Sequence, residues 1–321
     1  MAFPGTESFC DQNVQHTGVL LNVLIAKIFG TWKGLRRYGD HVTIETKEEG
    51  IIMKKNGRSY LGVEIKRPRV AFFELSSCEG CQLQILNNEA SLFSFLSLVE
   101  IVNFREAMST RSDDYEIAFV EGSVTRADEE EHLRKIRKQA RVLVALGSCA
   151  CFGGVNQLKN RFHDLEWVKR EVYGDHPVET RETQPLSAYV DVDLSIYGCP
   201  VKKEEVEEIV TNLVLGKSVE HPRYPVCMEC TAKGNTCLFE LGEPCLGPIT
   251  RAGCDSWCPD NRMGCWGCRG PADEANISQF RQVIRRHNIS EEVMLDRMEC
   301  FGGFHRILAE MKGEQEKGQG Q

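Results

Sequence analysis

Apolar positions along the chain change their rhythm three times, and each change marks a segment. Leu20, Leu21, Leu24, Ile25, Ile28, Phe29 and Trp32 recur at helical spacing and predict an amphipathic helix over 18–32. Its most apolar run is about 12 residues where a membrane span needs roughly 20. The helix therefore reads as a packed amphipathic element, with docking on a partner subunit or a membrane surface as the sharper alternative. Residues 41–46 and 51–60 read as short strands around Gly50 and the hairpin signal Asn56-Gly57. Residues 1–65 thus form an N-terminal extension.

Over 66–216 short apolar runs alternate with amphipathic stretches. Residues 70–75, 115–120, 142–146 and the end of 189–197 read as strands, the apolar runs expected where both faces are covered. Residues 82–98, 127–139 and 202–215 read as helices between them. This alternation predicts an α/β fold with a doubly wound parallel sheet. Over 217–271 the rhythm stops. Gly, Pro and Cys are dense, and the segment has too few apolar side chains to order itself against its chain entropy. Over 272–321 two helical pieces, 277–286 and 291–298, precede a polar tail from Gly313 that is expected to fray; Ser290 is placed to cap the second.

The cysteines follow these segments. Cys78 and Cys81 come just after the first strand, Cys149 after 142–146 in GSCACFGG, and Cys199 after the last strand in YGCP. Loops at the carboxyl ends of parallel strands gather on one sheet edge, so these four thiols are expected to converge there. Four convergent thiolates suit a tetrahedral zinc or a [4Fe–4S] cube. Cys81 opens a helix, whose free N–H groups and dipole are expected to face the sulfurs. Gly80, Gly147 and Gly198 allow close approach, and Pro200 fixes the chain as it leaves. Cys151, two residues past Cys149, reads as a spare packed thiol.

Eight more cysteines divide by proximity into Cys227, Cys230, Cys237 and Cys245, and Cys254, Cys258, Cys265 and Cys268. Zinc knots and iron–sulfur sites both remain open for them. The tilt is toward iron–sulfur. No histidine stands at zinc-finger spacing, His221 being the nearest, and Phe239, Leu246, Ile249, Trp257, Met263 and Trp266 offer a dry shell. Cys10, Cys151 and Cys300 are left over.

Composition narrows the function class. Hydrophobic residues are 41% and charged residues 27%, which excludes collagen, coiled coil and wholesale disorder. Net charge is −8, from 39 basic and 47 acidic residues, so no nucleic-acid partner is expected. Fifteen cysteines at close spacing, behind a polar start without an apolar signal core, fit a reduced, cytoplasmic metalloprotein with no transmembrane span.

SSCEGC, VEGSV, GSCACFGG and YGCP, in that order, resemble the small subunit of a [NiFe] hydrogenase, and CLFELGEPCLGPITRAGC followed by CWGCRGP resembles its cluster region. The resemblance runs from about residue 69 to 271. It implies a flavodoxin-like doubly wound sheet followed by an irregular iron–sulfur cluster-binding domain. It implies three [4Fe–4S] clusters: proximal on Cys78, Cys81, Cys149 and Cys199; medial on Cys254, Cys258, Cys265 and Cys268; distal on Cys227, Cys230, Cys237 and Cys245. Cys227 stands where many members have histidine, and the medial set has four cysteines where many have three. Both departures resemble the cytoplasmic methyl-viologen-reducing and sulfhydrogenase-delta types.

The resemblance implies electron transfer for H2 ⇌ 2H⁺ + 2e⁻, with the Ni–Fe centre on a large-subunit partner and a flavin- or iron–sulfur-containing partner at the exit. No catalytic residue is expected on this chain. Glu79 and Glu121 lie near the proximal site, as proton carriers or as structural carboxylates. The alternatives are a complex I-like cluster subunit, which has adjacent cysteines where this chain has Cys78 and Cys81 two apart, and a zinc-stabilised structural adaptor.

Overall fold

Five parallel strands form the sheet: β5 (Arg69–Glu74), β6 (Glu100–Phe104), β7 (Ile117–Glu121), β8 (Val142–Leu146) and β9 (Leu194–Ile196). Their spatial order is β6-β5-β7-β8-β9. Counted within the sheet this is 2-1-3-4-5, the flavodoxin-like order. The computed structural model describes residues 36–38, 41–43, 58–60, 63–65, 67–87 and 96–318, with side chains over 67–87 and 96–312. It comprises two units, Met1–Lys66 and Arg67–Gln321.

The alternation of side chains along each strand explains why the runs are apolar throughout. Val70, Phe72, Phe119, Val144 and Leu146 pack to one face, against Cys81 and Ile85 of α1 (Gly80–Leu86) and Val206, Ile209 and Val210 of α5 (Lys203–Val214). Ala71, Phe73, Ala118, Val120, Leu143 and Ala145 pack to the other, against Leu133 and Ile136 of α2 (Ala127–Gln139). Phe72 stacks on Phe104 and Phe119 at centroid separations of 4.4 and 5.0 Å. Covering both faces leaves ligands only the carboxyl-end edge.

Strand β6 is absent from the pattern reading. It is an edge strand carrying Glu100 and Asn103, so its apolar signal is only Ile101, Val102 and Phe104. The helix expected over 82–98 is α1 followed by a helical turn at 96–98, with 88–95 outside the described residues. Two further short helices line the route to the last strand, α3 (Gly147–Phe152) and α4 (Leu165–Tyr173).

The cysteine-rich segment is not left to hold itself. It contains α6 (Val226–Ala232) and α7 (Trp257–Asp260). Its Val226, Leu238, Phe239, Leu246 and Ile249 share a core with α8 (Ile277–Arg286), α9 (Glu291–Glu299) and α10 (His305–Gly318), through Phe280, Ile284, Met294, Met298, Phe304 and Met311. The tail expected to fray from Gly313 continues α10 to Gly318. Ser290 occupies the N-cap position of α9, but its side chain makes no capping bond.

In the first unit two antiparallel hairpins are described, β1 (Arg36–Tyr38) with β2 (His41–Thr43) and β3 (Arg58–Tyr60) with β4 (Val63–Ile65). The described partner of 58–60 is 63–65, and Asn56-Gly57 lie outside the described residues. The helix expected over 18–32 lies outside the described residues. No described helix is long and apolar enough to cross a membrane.

Candidate functional site

Each loop that leaves the carboxyl end of β5, β8 or β9 delivers cysteine to the same edge. Cys78 and Cys81 follow β5, Cys149 sits in α3 straight after β8, and Cys199 follows β9. Proximity registers in their acidity. Cys149 is pushed up to about 11 by burial and then by Cys78. Cys199 is pushed up to about 12 by burial and then by Cys149 and Cys78. Burial, then Glu121, then Cys199 and Cys149 raise Cys81 well beyond the usual thiol range. Gly147 holds the crowding point. Its φ is +84°, and a Cβ there would stand 2.4 Å from the Cys81 sulfur.

The N–H groups at the start of α1 are not free, contrary to the sequence reading. Buried Glu121, at the end of neighbouring β7, accepts them from Cys81 at 3.1 Å and from Gln82 at 3.0 Å. The nearby Val201 backbone opposes the rise in the Cys81 pKa instead. Burial raises the Glu121 pKa and these bonds oppose the rise. Both carboxylate oxygens are thus engaged by the backbone. Cys151 is packed away from the group, its thiol directed at the carbonyls of Ala145 (3.7 Å) and Ile196 (3.6 Å). Half-buried Cys300 lies close enough to Cys199 to raise its pKa, whereas Cys10 lies outside the described residues.

Cys227, Cys230, Cys237 and Cys245 all line one cavity of about 70 Å³, shared with apolar Val226, Leu238, Phe239 and Pro259 and polar Thr231 and Asn235. One water needs only about 10–15 Å³ by the same measure. Cys227 is pushed up to about 12 by burial, then by Cys245, Cys230 and Cys237. The remaining four lie between this group and the sheet edge. Cys268 is pushed up to about 12 by burial and also feels Cys254, Cys258 and Cys199, while the nearby Cys199 backbone opposes the rise. On the other side the Cys265 N–H donates to the Cys245 sulfur at 3.2 Å, and Cys258 and Cys265 both feel Cys245. The thiols therefore form a continuous line, from the sheet edge through Cys268 and Cys265 to Cys245.

This donor set suits iron–sulfur clusters. All fourteen described cysteines are free thiols. Among the described residues no three His, Cys, Asp or Glu side chains are grouped as for a single metal ion. N–H groups of Gly247 and Gly267 also point at the Cys245 (3.4 Å) and Cys265 (3.5 Å) sulfurs, and such bonds tune cluster potential.

The raised thiol pKa values carry a stability prediction. A group whose folded pKa is raised favours the folded state below its unfolded value, and that contribution is lost as pH rises through the folded value. The cluster-free chain is therefore expected to lose thermal stability from the ordinary thiol value of 9.0 up through about 12. Melting curves at stepped pH measure it. An unfolding temperature that stays flat over that window contradicts the buried clustering of these thiols.

Sulfhydrogenase 2 subunit delta of Pyrococcus furiosus is 35% identical to this chain over 229 residues, covering 70% of this chain and 95% of that protein. The chain belongs to the [NiFe] hydrogenase small-subunit family. It is accordingly a subunit of a hydrogenase, an oxidoreductase. The small-subunit likeness extends to a subunit of the vhu F420-non-reducing hydrogenase of Methanococcus voltae, 29% identical over 64% of this chain and 83% of that one. It extends also to the iron-sulfur subunit of an F420-non-reducing hydrogenase of Archaeoglobus profundus, 24% identical over 70% and 91%. The family model described as NADH ubiquinone oxidoreductase, 20 Kd subunit, matches residues 78–213, so it ends before Cys227. A solved chain of an NAD+-reducing [NiFe]-hydrogenase in the H2-reduced state aligns with a TM-score of 0.44 and 26% identity, over 49% of this small subunit and 96% of that chain.

Three charged groups at the site escaped the sequence reading. Glu229 accepts the N–H groups of Gly253 (2.7 Å) and Ser256 (3.0 Å), shaping the loop around Cys254. Arg269 is buried beside Cys268 and paired with Glu205. Arg269 was signalled only by its place after a cysteine, and Glu205 looked like one more charge on an acidic helix.

Proposed function

We propose that this small subunit holds three [4Fe–4S] clusters and works as an electron relay in the cytoplasm. Its partners would be a large subunit that carries the Ni–Fe centre and a flavin- or iron–sulfur-containing redox subunit. The continuous line of thiols is the observation that carries this reading. Cys78, Cys81, Cys149 and Cys199 would hold the proximal cluster, Cys254, Cys258, Cys265 and Cys268 the medial, and Cys227, Cys230, Cys237 and Cys245 the distal. When bound, the clusters would supply one-electron chemistry joining H2 ⇌ 2H⁺ + 2e⁻ on the large subunit to the redox partner.

The chain's own residues contribute order and an apolar wall. Glu121 fixes the backbone at the start of α1, and with it Cys81. The hydroxyl of Ser148, beside Cys149, donates to the Cys268 carbonyl and ties the sheet edge to the cysteine-rich segment. Val226, Leu238 and Phe239 give the Cys227 cavity an apolar wall, while Cys237 and the Trp257, Met263 and Trp266 side chains expected to keep the region dry are exposed; solvent exposure is one lever on cluster potential.

Anaerobic purification from the native host through an affinity tag tests the partnership. The expected result is a complex that contains nickel and reduces a dye with H2. A chain that comes out alone, or with partners that hold no nickel, contradicts it.

A further inference from the structure

Arg269 is the largest fully buried side chain among the described residues. Its side chain is 1% exposed. Nη1 and Nη2 donate to the two carboxylate oxygens of Glu205 at 2.7 and 2.8 Å. Nη1 also donates to the Tyr197 carbonyl at 2.7 Å, and Nε to the Ala252 carbonyl at 2.8 Å. Tyr197 stands two residues before Cys199, and Ala252 two residues before Cys254. Arg269 itself follows Cys268. One guanidinium therefore joins a loop of the sheet-edge group to both arms of the middle group. The fit is tight: Gly253 has φ of +111°, and a Cβ on it would stand 2.4 Å from Nη2.

The charges around it are few. Burial opposes the Arg269 charge, and Glu205 more than restores it. Burial likewise opposes ionisation of Glu205, but nearby His221 and the Arg269 hydrogen bonds hold its carboxyl below the usual range. His221 faces Glu205 from the far side, Nδ1 to oxygen 3.5 Å. Arg251 covers the Tyr197 ring at 5.1 Å. Buried ion pairs are weak stabilisers, because desolvation offsets their attraction. A pair kept between two cysteine groups is better explained by what its charge and fork do to those groups.

We propose that the Arg269–Glu205 pair is a positioning device for the electron step between the proximal and medial sites. Its fork sets the Cys199, Cys254 and Cys268 loops against one another, and its balanced charge sets the potential of the medial site. This inference rests on the three-cluster reading. Arg269 is close enough to act electrostatically on Cys254 and Cys268, whereas the Cys227 group is reached only through the Cys245 side. The medial site is therefore the one that responds most.

The test is E205Q and R269Q in the intact complex, with iron content and a redox titration followed by electron paramagnetic resonance. E205Q leaves the guanidinium charge uncompensated, so the reduced medial site is favoured. The expected shift is on the order of tenfold, about 59 mV upward for a one-electron couple, with the distal midpoint unmoved. R269Q leaves the carboxylate uncompensated and is expected to shift the medial midpoint downward. A purely structural pair would not give opposite signs. Full iron content in E205Q with the medial midpoint unchanged, or with all three midpoints moved alike, overturns the proposal even if R269Q fails to assemble. A wild-type complex without iron–sulfur signals overturns the reading beneath it instead.

Discussion

Replacing Cys258 with alanine is expected to cost the medial site about one iron atom, leaving a three-thiolate site like that of the members with three cysteines there, and to slow H2-dependent reduction of the redox partner, while the complex still assembles. Cys258 belongs to the middle group. Burial raises its pKa first, then Cys254 in its own group and Cys245 in the next. It has no substitute at hand, because the nearest cysteines are already assigned to sites. Removing a partner outside the ligand shell costs about 10–100-fold in affinity or activity, and losing a ligand exceeds that. The ends of the line, at Cys199 and at Cys245, would keep their own thiols. Iron counting and partner-reduction rates measure the effect. Full iron and an unchanged rate would remove Cys258 from the ligand set.

Gly147→Ala is expected to damage the proximal site without touching a ligand. The position has φ of +84°, where a side chain costs about 1–2 kcal/mol. The added Cβ would also stand 2.4 Å from the Cys81 sulfur and 3.4 Å from the Gly198 carbonyl. Overpacking of that kind costs about 1–3 kcal/mol more. The sulfur must move, and with it the geometry of Cys78, Cys81, Cys149 and Cys199. Denaturant unfolding of the cluster-free chain reports the strain, and the proximal resonance signal of the loaded chain reports the displaced thiol. Wild-type stability and spectrum in G147A would show that the sheet edge is looser than these distances require.

The sheet and the thiol groups were legible in the sequence for the same reason. Strands β5, β7 and β8 are buried on both faces, so their apolar runs are unbroken, and the cysteines beyond β5, β8 and β9 fall at one edge by topology alone. Strand β6 was not legible because an edge strand needs few apolar residues. The hydrogen-bond destinations were not legible either. The N–H groups of Cys81 and Gln82 were expected to face the sulfurs, yet Glu121 takes them from a strand forty residues away. Arg269 and Glu205 are 64 residues apart and meet only after the cysteine-rich segment docks on the sheet edge. The apolar partner of the cysteine-rich segment was hidden as well, since Phe280 and Met294 read locally as the stripes of ordinary helices and the helix that carries Met311 was not read at all.

The electron relay depends on the chemical identity of what those thiols hold. Metal analysis of the anaerobically purified chain, with resonance spectra before and after reduction, tests it most directly. The expected result is about twelve iron atoms per chain in three reducible clusters, with matching acid-labile sulfide. Stoichiometric zinc in a colourless protein, or thiols oxidised to one another, would contradict it.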